Sequence, residues 1–255
     1  ISWNRIIQLS KELDKIKTKQ EKFLPANKDY RDIEIELRGV EYHYQNSEGE
    51  AFAVGPIDYK FRSGEITFIT GGNGSGKSTL AKLVTGLYAP ECGGVYLNGT
   101  PISPKELGQK YSAIFSDFYL FEKLYGIDCT KKEDEINKYL KVLRIQDKVE
   151  IKDGSLNTIK LSTGQRKRLA LLISYLEDRP VYLFDEWAAD QDPEFRKFFY
   201  NTLLPELKEK GKCIIAITHD DRYFDMADNV IKMDMGKILQ SEVHHFVETS
   251  GDAVS

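Results

Sequence analysis

The chain is short of cysteine, of basic charge and of long apolar runs. Its three cysteines, Cys92, Cys129 and Cys213, are scattered among 255 residues and include no C-x-x-C pair. This scatter argues against a metal or disulfide framework and fits a reducing compartment. No apolar run approaches the ~20 residues that a helix needs to cross a bilayer. The net charge of -4 argues against a dedicated nucleic-acid-binding protein, because such proteins carry a basic excess.

What is present is the composition of a globular protein, with 41% hydrophobic and 30% charged residues. The length suits one large domain or one domain with an inserted lobe. Residues 1–24 place apolar side chains on one helical face. They form either an amphipathic helix packed on its own domain or a linker helix from a missing upstream domain. The first residue is Ile1 rather than Met, which suggests a piece of a longer protein, and residues 244–255 suggest a loose tail.

The central motif is a P-loop of the pattern G-x-x-x-x-G-K-[ST], between an apolar strand pattern over 66–70 and a helical pattern over 80–87. Its glycines let the backbone curl around a polyphosphate, and the new helix adds its positive N-terminal end. Lys77 supplies charge to the β- and γ-phosphates, and the Ser78 hydroxyl can ligate Mg²⁺. A glycine-rich turn without a ligand would not need this lysine, serine and flanking pattern together. The motif therefore predicts binding of a nucleoside triphosphate such as ATP by Gly71, Asn73, Gly74, Ser75, Gly76, Lys77, Ser78 and Thr79.

Alternating strands and helices predict an α/β protein with a mainly parallel sheet. We expect a P-loop NTPase core with an antiparallel β subdomain at the N-terminal side and an inserted helical subdomain. The segment 33–44 alternates as an edge strand does, residues 90–94 suggest a turn, and 192–211 suggest a helix kinked at Pro205. The predicted parts are a core over 25–116, the helical subdomain over 117–160, and the rest of the core over 161–243.

Two adjacent carboxylates, Asp185 and Glu186, end a buried strand over 181–184. In open parallel sheets, ligands bind at the carboxyl ends of the strands, beside the P-loop. Asp185 can therefore hold the Mg²⁺ shell, and Glu186 can polarise the attacking water. A simple helix cap is the alternative for such a pair, but the P-loop in the same chain favours catalysis.

A second diagnostic stretch runs from Leu161 to Gln165 with the sequence L-S-T-G-Q. It offers a serine cap and a flexible glycine at the start of an apolar helix. It resembles the signature motif of ATP-binding cassette (ABC) ATPases, usually written L-S-G-G-Q, with Thr163 at the third position. The P-loop, the signature and the strand ending in Asp185 stand in the order that this family has. The resemblance extends over residues 33–239.

The resemblance implies further roles. His219, directly after an apolar strand, matches the switch histidine that contacts the γ-phosphate. Tyr44 stands where the family carries an aromatic that stacks on adenine, with Tyr42 nearby, and an exposed strand tyrosine remains the alternative for either. Asp192 matches the final acid of the D-loop. The signature residues Ser162, Gly164 and Gln165 would act on ATP bound to a second copy of the cassette.

Two positions depart from the family pattern. Ser116 stands where a glutamine usually touches Mg²⁺, so its metal contact would run through water or through Asp117. Trp187 replaces the proline that usually follows the two carboxylates. Both variants resemble the bacterial branch that exports cyclic peptides and siderophores such as pyoverdine.

The resemblance implies an ATPase that dimerises around two Mg-ATP at the cytoplasmic face of the inner membrane. The transmembrane domain would be fused upstream and would carry the choice of substrate. One alternative is an ABC ATPase that works in DNA repair or translation, but the acidic charge and the single cassette argue against it. The other is a nucleotide-binding regulatory module with little turnover. Such a module would be expected to have lost a catalytic carboxylate or histidine, whereas this chain has both Glu186 and His219.

Overall fold

The computed structural model describes residues 32–45 and 51–243. In chain order its elements are β1 (Glu34–Gln45), β2 (Ala51–Arg62), β3 (Ile66–Gly71), α1 (Lys77–Val84), β4 (Cys92–Leu97), β5 (Thr100–Pro101), α2 (Pro104–Gly108), β6 (Tyr111–Ile114), α3 (Glu133–Val142), β7 (Ile151–Lys152), β8 (Ser155–Leu156), α4 (Thr163–Glu177), β9 (Val181–Asp185), α5 (Pro193–Phe198), α6 (Leu204–Glu209), β10 (Cys213–Ile217), β11 (Asn229–Asp234) and β12 (Lys237–Val243). The predictions for residues 1–24 and 244–255 lie outside the described residues.

A six-stranded sheet in the order β12-β11-β3-β10-β9-β6 forms the centre of the molecule. All its neighbouring pairs are parallel except β11 with β12, which is antiparallel. Strands β9 and β10 are buried at every residue, as expected for parallel strands covered on both faces. The predicted α/β class with a mainly parallel sheet is confirmed, and the carboxyl ends of β3, β9 and β10 share one edge.

A second, antiparallel sheet has the order β2-β1-β4-β5. The prediction of an edge strand over 33–44 is wrong, because β1 pairs with β2 on one side and with β4 on the other. Alternation reports which face of a strand is buried, and it carries no information about how many neighbours the strand has. The turn predicted over 90–94 is also partly wrong, since Cys92 begins β4. Gly93 permits the pairing there, because a Cβ on it would lie 2.2 Å from the Gly39 carbonyl oxygen.

The predicted helical insert over 117–160 contains one helix, α3, and the short hairpin of β7 and β8. The hairpin was missed because its strands have two residues each. Its signal was the Asp153–Gly154 pair, which adopts positive φ angles of 49° and 70° and so fits a two-residue hairpin turn. Apolar side chains of α3 pack into the core that contains α4, which anchors the insert.

The helix predicted over 192–211 is interrupted, as Pro205 required. A π-helical turn over Phe199–Leu203 separates α5 from α6, and Pro205 lies in the first turn of α6. A proline has no N–H to donate, so one wider turn re-registers the backbone bonds. Across the two described stretches, the helices are too short or too polar to span a membrane.

Candidate functional site

The P-loop joins β3 to α1 at the carboxyl edge of the parallel sheet. Gly71 has a φ of 145°, and a Cβ on it would lie 2.2 Å from the Met233 carbonyl oxygen. Gly76, with a φ of 101°, occupies the residue before α1. Both positions therefore require glycine, for a close backbone approach and for a left-handed turn into the helix. Gly74 also has a positive φ of 74°.

Lys77 folds back over this loop. Its Nζ donates to the carbonyl oxygens of Gly71 at 2.9 Å and Gly72 at 2.8 Å. Burial lowers the pKa of Lys77, while the negative charges of Glu186 and Asp185 oppose that shift. The ammonium therefore lies within electrostatic reach of both carboxylates at the carboxyl end of β9.

The hydroxyls of the P-loop divide into buried and exposed groups. Ser75 is 3% exposed, and its Oγ has no hydrogen-bond partner in the described part of the chain. A buried hydroxyl without a partner is rare in proteins and fits a ligand-binding loop. Ser78, at the first turn of α1, and Asn73 are exposed, whereas Thr79 is buried.

Asp185 ends β9 and is almost fully buried. Its Oδ2 accepts from the Ser116 hydroxyl at 3.3 Å and from the Ser116 N–H at 3.5 Å. Burial raises the pKa of Asp185; the Ser116 bonds and the charge of Lys167 oppose the shift, and Glu186 adds to it. Ser116 thus contacts the carboxylate directly. Asp117 is exposed, and among the described residues no hydrogen bond joins it to Asp185.

Glu186 turns the chain out of β9 in the left-handed conformation, with a φ of 50°. Its N–H donates to the Ile217 carbonyl at 3.1 Å. Its side chain is half-exposed, and Oε1 lies 3.3 Å from His219 Nε2, whose ring is also half-exposed. A non-glycine residue in this conformation is strained and is often found at functional sites. The predicted base and the predicted switch histidine are therefore neighbours.

The signature residues form the start of α4. Ser162 and Gln165 make a capping box, with 3.3 Å from the Gln165 N–H to Ser162 Oγ and 3.1 Å from the Ser162 N–H to Gln165 Oε1. Gly164 packs against the segment after β9, because a Cβ on it would lie 2.8 Å from the Asp190 carbonyl oxygen. Within the described residues, 32–45 and 51–243, no hydrogen bond joins these signature residues to the P-loop.

The two candidate tyrosines have different surroundings. Tyr42 stacks on Tyr88 with ring centroids 4.8 Å apart. Tyr44 is 43% exposed and contacts Phe52 at 5.6 Å between centroids. The ring face of Tyr42 is therefore already covered by protein, whereas Tyr44 has free surface.

The fold thus brings the P-loop, Ser116, Asp185, Glu186 and His219 to one edge of the sheet. Asp192 lies apart from that group: it caps α5 by accepting from the Phe195 N–H at 2.9 Å and it pairs with Arg168. Sequence reasoning missed Lys167, a residue of α4 whose side chain reaches the Glu186 backbone. The sequence gives little signal for it, because Lys167 stands between Arg166 and Arg168 in a basic run at the start of the helix.

Comparisons with known proteins identify relatives of this chain. The family described as ABC transporter matches residues 54–189. The ATP-binding protein SyrD of Pseudomonas syringae pv. syringae is 50% identical over 223 residues, which are 84% of this chain and 39% of SyrD. The energy-coupling factor transporter ATP-binding protein EcfA1 of Mycoplasma mobile is 30% identical over 218 residues, which are 81% of this chain and 79% of EcfA1.

A solved structure adds the fold. A dimeric, post-hydrolysis state of an ATP-binding cassette bound to ADP and Pi superposes with a TM-score of 0.69 at 21% identity. The match covers 83% of this chain and all of that one. The family match covers more than half of the chain, and EcfA1 is matched over most of its length. The chain belongs to the ABC transporter family, as an ATP-binding cassette of the ATP-hydrolysing kind.

Proposed function

We propose that the carboxyl edge of the parallel sheet hydrolyses ATP, with Glu186 as the general base. The observation that supports this most directly is the half-exposed Glu186 carboxylate, 3.3 Å from His219 and beside the buried Asp185. Glu186 accepts a proton from a water molecule while the oxygen of that water attacks the γ-phosphorus. The bond between the γ-phosphorus and the bridging oxygen of ADP then breaks, and ADP leaves. Lys77 and the backbone N–H groups of the P-loop stabilise the negative charge of the phosphates. His219 orients the γ-phosphate and Glu186.

The donor set fits a magnesium ion. Ser78 offers an exposed hydroxyl at the start of α1, and Asp185 offers a carboxylate with Ser116 bonded to one oxygen. Mg²⁺ prefers few protein oxygens, with phosphate oxygens and water completing its shell. When bound, the ion would neutralise phosphate charge. Ser116 would act through Asp185 or a water molecule, because its hydroxyl already points at that carboxylate, and Asp117 would contribute only through water.

The cassette would work as a head-to-tail dimer around two ATP molecules. Among the described residues, the hydrogen bonds of Ser162, Gly164 and Gln165 stay within α4, its cap and the segment after β9, so a partner's ATP is a natural ligand for this helix start. A cassette of the same fold is dimeric. Tyr44, with its free surface, would stack on adenine, and Asp192 would hold the D-loop at the dimer interface.

We further propose that the cassette powers export of a peptide or siderophore-like substrate across the inner membrane, from the cytoplasmic face. SyrD, half of whose matched residues are identical, is more than twice as long as the matched part, which leaves room for a transmembrane domain. Ser116 and Trp187 support the peptide-exporter branch. In this scheme 25–116 and 161–243 form the ATP-binding core, 117–160 contacts the membrane partner, 1–24 is the linker and 244–255 the tail.

The experiment is the solution mass of the chain with and without Mg-ATP, together with phosphate release, for the wild type and Glu186→Gln. We expect phosphate release to fall at least 100-fold in Glu186→Gln, because no base remains, and ATP to hold that variant as a dimer. The matched control is Glu194→Gln, the same change at an exposed carboxylate that pairs with Arg144. It should keep wild-type activity.

Other outcomes contradict parts of the proposal. Phosphate release that survives Glu186→Gln would remove the catalytic assignment. A wild type that dimerises with ATP and releases no phosphate would favour the regulatory-module alternative. A Glu186→Gln variant that stays monomeric with Mg-ATP would contradict the head-to-tail dimer.

A further inference from the structure

Lys167 is the most deeply buried lysine near the catalytic edge, at 1% exposure. It lies in α4, one turn after Gly164. Its Nζ donates to the Glu186 carbonyl oxygen at 2.7 Å and pairs with Asp190 Oδ2 at 2.6 Å. A buried ammonium is costly unless such acceptors surround it. The side chain therefore ties α4 to the segment that carries the base.

The Glu186 backbone needs support of this kind. Its left-handed conformation, with a φ of 50°, is strained for a residue with a side chain. Its N–H donates to the Ile217 carbonyl of β10, and its carbonyl accepts from the Ala189 N–H at 3.3 Å and from Lys167 Nζ at 2.7 Å. The first of these bonds fixes the residue to the sheet, and the Lys167 bond fixes it to α4. Without Lys167, the carbonyl keeps the longer bond from Ala189, which belongs to the same segment and does not tie it to α4, so we expect the carboxylate to move away from His219.

Trp187 adds a second tie between the same two segments. Its indole Nε1 donates to the main-chain carbonyl of Lys167 at 3.0 Å. The ring is buried and stacks on Phe199 with centroids 4.5 Å apart. One residue of α4 is therefore held twice, through its ammonium and through its carbonyl, by two consecutive residues of the catalytic segment.

We propose that Lys167 is a positioning residue that holds Glu186 to α4, with Trp187 as its support. The inference rests on the proposed function, because it assumes that Glu186 is the base. Since Ser162 caps α4 and Gly164 lies in its first turn, any displacement of the signature residues is transmitted to the Glu186 carbonyl through a stiff helix and one ammonium. In a head-to-tail dimer, the base of one ATP site would thereby respond to the nucleotide bound in the other.

The test compares Lys167→Met and Lys167→Gln with Lys212→Met. Lys212 is a matched control, because it is also buried at 2% exposure and pairs with an aspartate, Asp178, at 2.6 Å. The measurements are kcat and KM for phosphate release by the 255-residue chain, with melting temperature as the folding check.

We expect Lys167→Met to lower kcat at least tenfold with KM for ATP within twofold of wild type. Lys167→Gln keeps an N–H donor and should retain more kcat than Lys167→Met. Lys212→Met should keep kcat within twofold. The split between kcat and KM separates positioning of the base from a general loss of structure, which would change both.

Trp187→Phe keeps an aromatic ring to stack on Phe199 and removes the N–H donor together with part of the indole's buried volume. With its melting temperature as the check on that lost volume, it tests the same tie should Lys167→Met fail to fold. We expect its kcat to fall about threefold with KM unchanged. A folded Lys167→Met with wild-type kcat overturns the inference, and so does an unchanged kcat in Trp187→Phe when Lys167→Met is unfolded. Glu186→Gln in the same series separates the two failures: if it keeps wild-type phosphate release, the proposed function itself has failed.

Discussion

The two edges of the parallel sheet contain similar groups in different arrangements. The carboxyl edge has the buried Lys167, paired with Asp190, and a left-handed Glu186. The amino edge has the buried Lys212, paired with Asp178, which is itself left-handed with a φ of 49°. The amino edge also has a cavity of about 420 Å³ lined by tyrosines and lysines.

The two edges differ in which groups the buried lysine contacts. At the amino edge, Lys212 pairs with Asp178 and packs near the Tyr182 ring, so its charge is used within the protein. At the carboxyl edge, Lys167 bonds the backbone of Glu186, whose carboxylate stays half-exposed beside His219. A buried charge or a cavity therefore does not by itself mark a catalytic site. Convergence of reactive groups on an open phosphate-binding loop does.

The largest effect on stability is expected for glycines at the two ends of β3. Gly71→Ala places a Cβ 2.2 Å from the Met233 carbonyl oxygen, and we expect a loss of about 3 kcal/mol in free energy of unfolding. Gly64, at the amino end, has a φ of 75° with open space around it, so Gly64→Ala should cost about 1 kcal/mol. Denaturant unfolding measures both.

ATP affinity, measured by titration, gives a second comparison of the Gly71→Ala and Gly64→Ala variants. We expect it to fall at least 100-fold in Gly71→Ala, because the loop must shift, and to stay within twofold in Gly64→Ala. Equal losses of affinity in the two variants would show that the edges do not differ in the way described.

The second prediction is that one substitution has opposite effects on stability at the two edges. Asp185→Asn removes a buried carboxylate whose pKa is raised by burial, and should stabilise the chain by about 1 kcal/mol. Asp178→Asn removes the counter-charge of the buried Lys212, and should destabilise it by a similar amount. Only Asp185→Asn should also abolish phosphate release.

The pH dependence follows from the raised pKa of Asp185. Below the unfolded pKa of about 4, the carboxyl is protonated in both states and contributes nothing. Above its raised folded pKa, the ionised group destabilises the fold in full. The advantage of Asp185→Asn should therefore be absent at pH values well below 4, grow as pH rises from the unfolded pKa through the folded pKa, and then stay constant. An advantage that shrinks as pH rises would contradict the burial of this charge.

The smallest effect on stability is expected for two serines, one within β6 and one two residues after its end. Ser112 donates to Glu177 at 2.9 Å and is buried, so Ser112→Ala should cost about 1 kcal/mol of stability and leave phosphate release unchanged. Ser116→Ala should cost less than about 0.5 kcal/mol, because Ser116 is exposed. It should slow phosphate release severalfold by freeing Asp185 Oδ2. Thermal unfolding and phosphate release, measured on both variants, test whether Ser112→Ala affects stability more and Ser116→Ala affects activity more.

Some predictions depended on patterns that are local in sequence. The P-loop, the capping serine of α4, the kink at Pro205 and the carboxylates after β9 all follow from spacing, capping and backbone rules that a few neighbouring residues satisfy. The Asp153–Gly154 hairpin was local too, and was missed because its strands are so short. The edge strand was not local: its second neighbour, β4, lies some 50 residues further along the chain.

By itself the sequence determined the α/β class, the phosphate loop, and the residues that we propose bind Mg-ATP and activate water. Only the tertiary structure decided that Lys167 bonds the Glu186 carbonyl, that Ser116 bonds Asp185, and that Tyr44 rather than Tyr42 keeps free surface. The physical reason is range. Motifs encode backbone geometry over a few residues, whereas a buried lysine acquires its role from acceptors that packing brings to it from elsewhere in the chain.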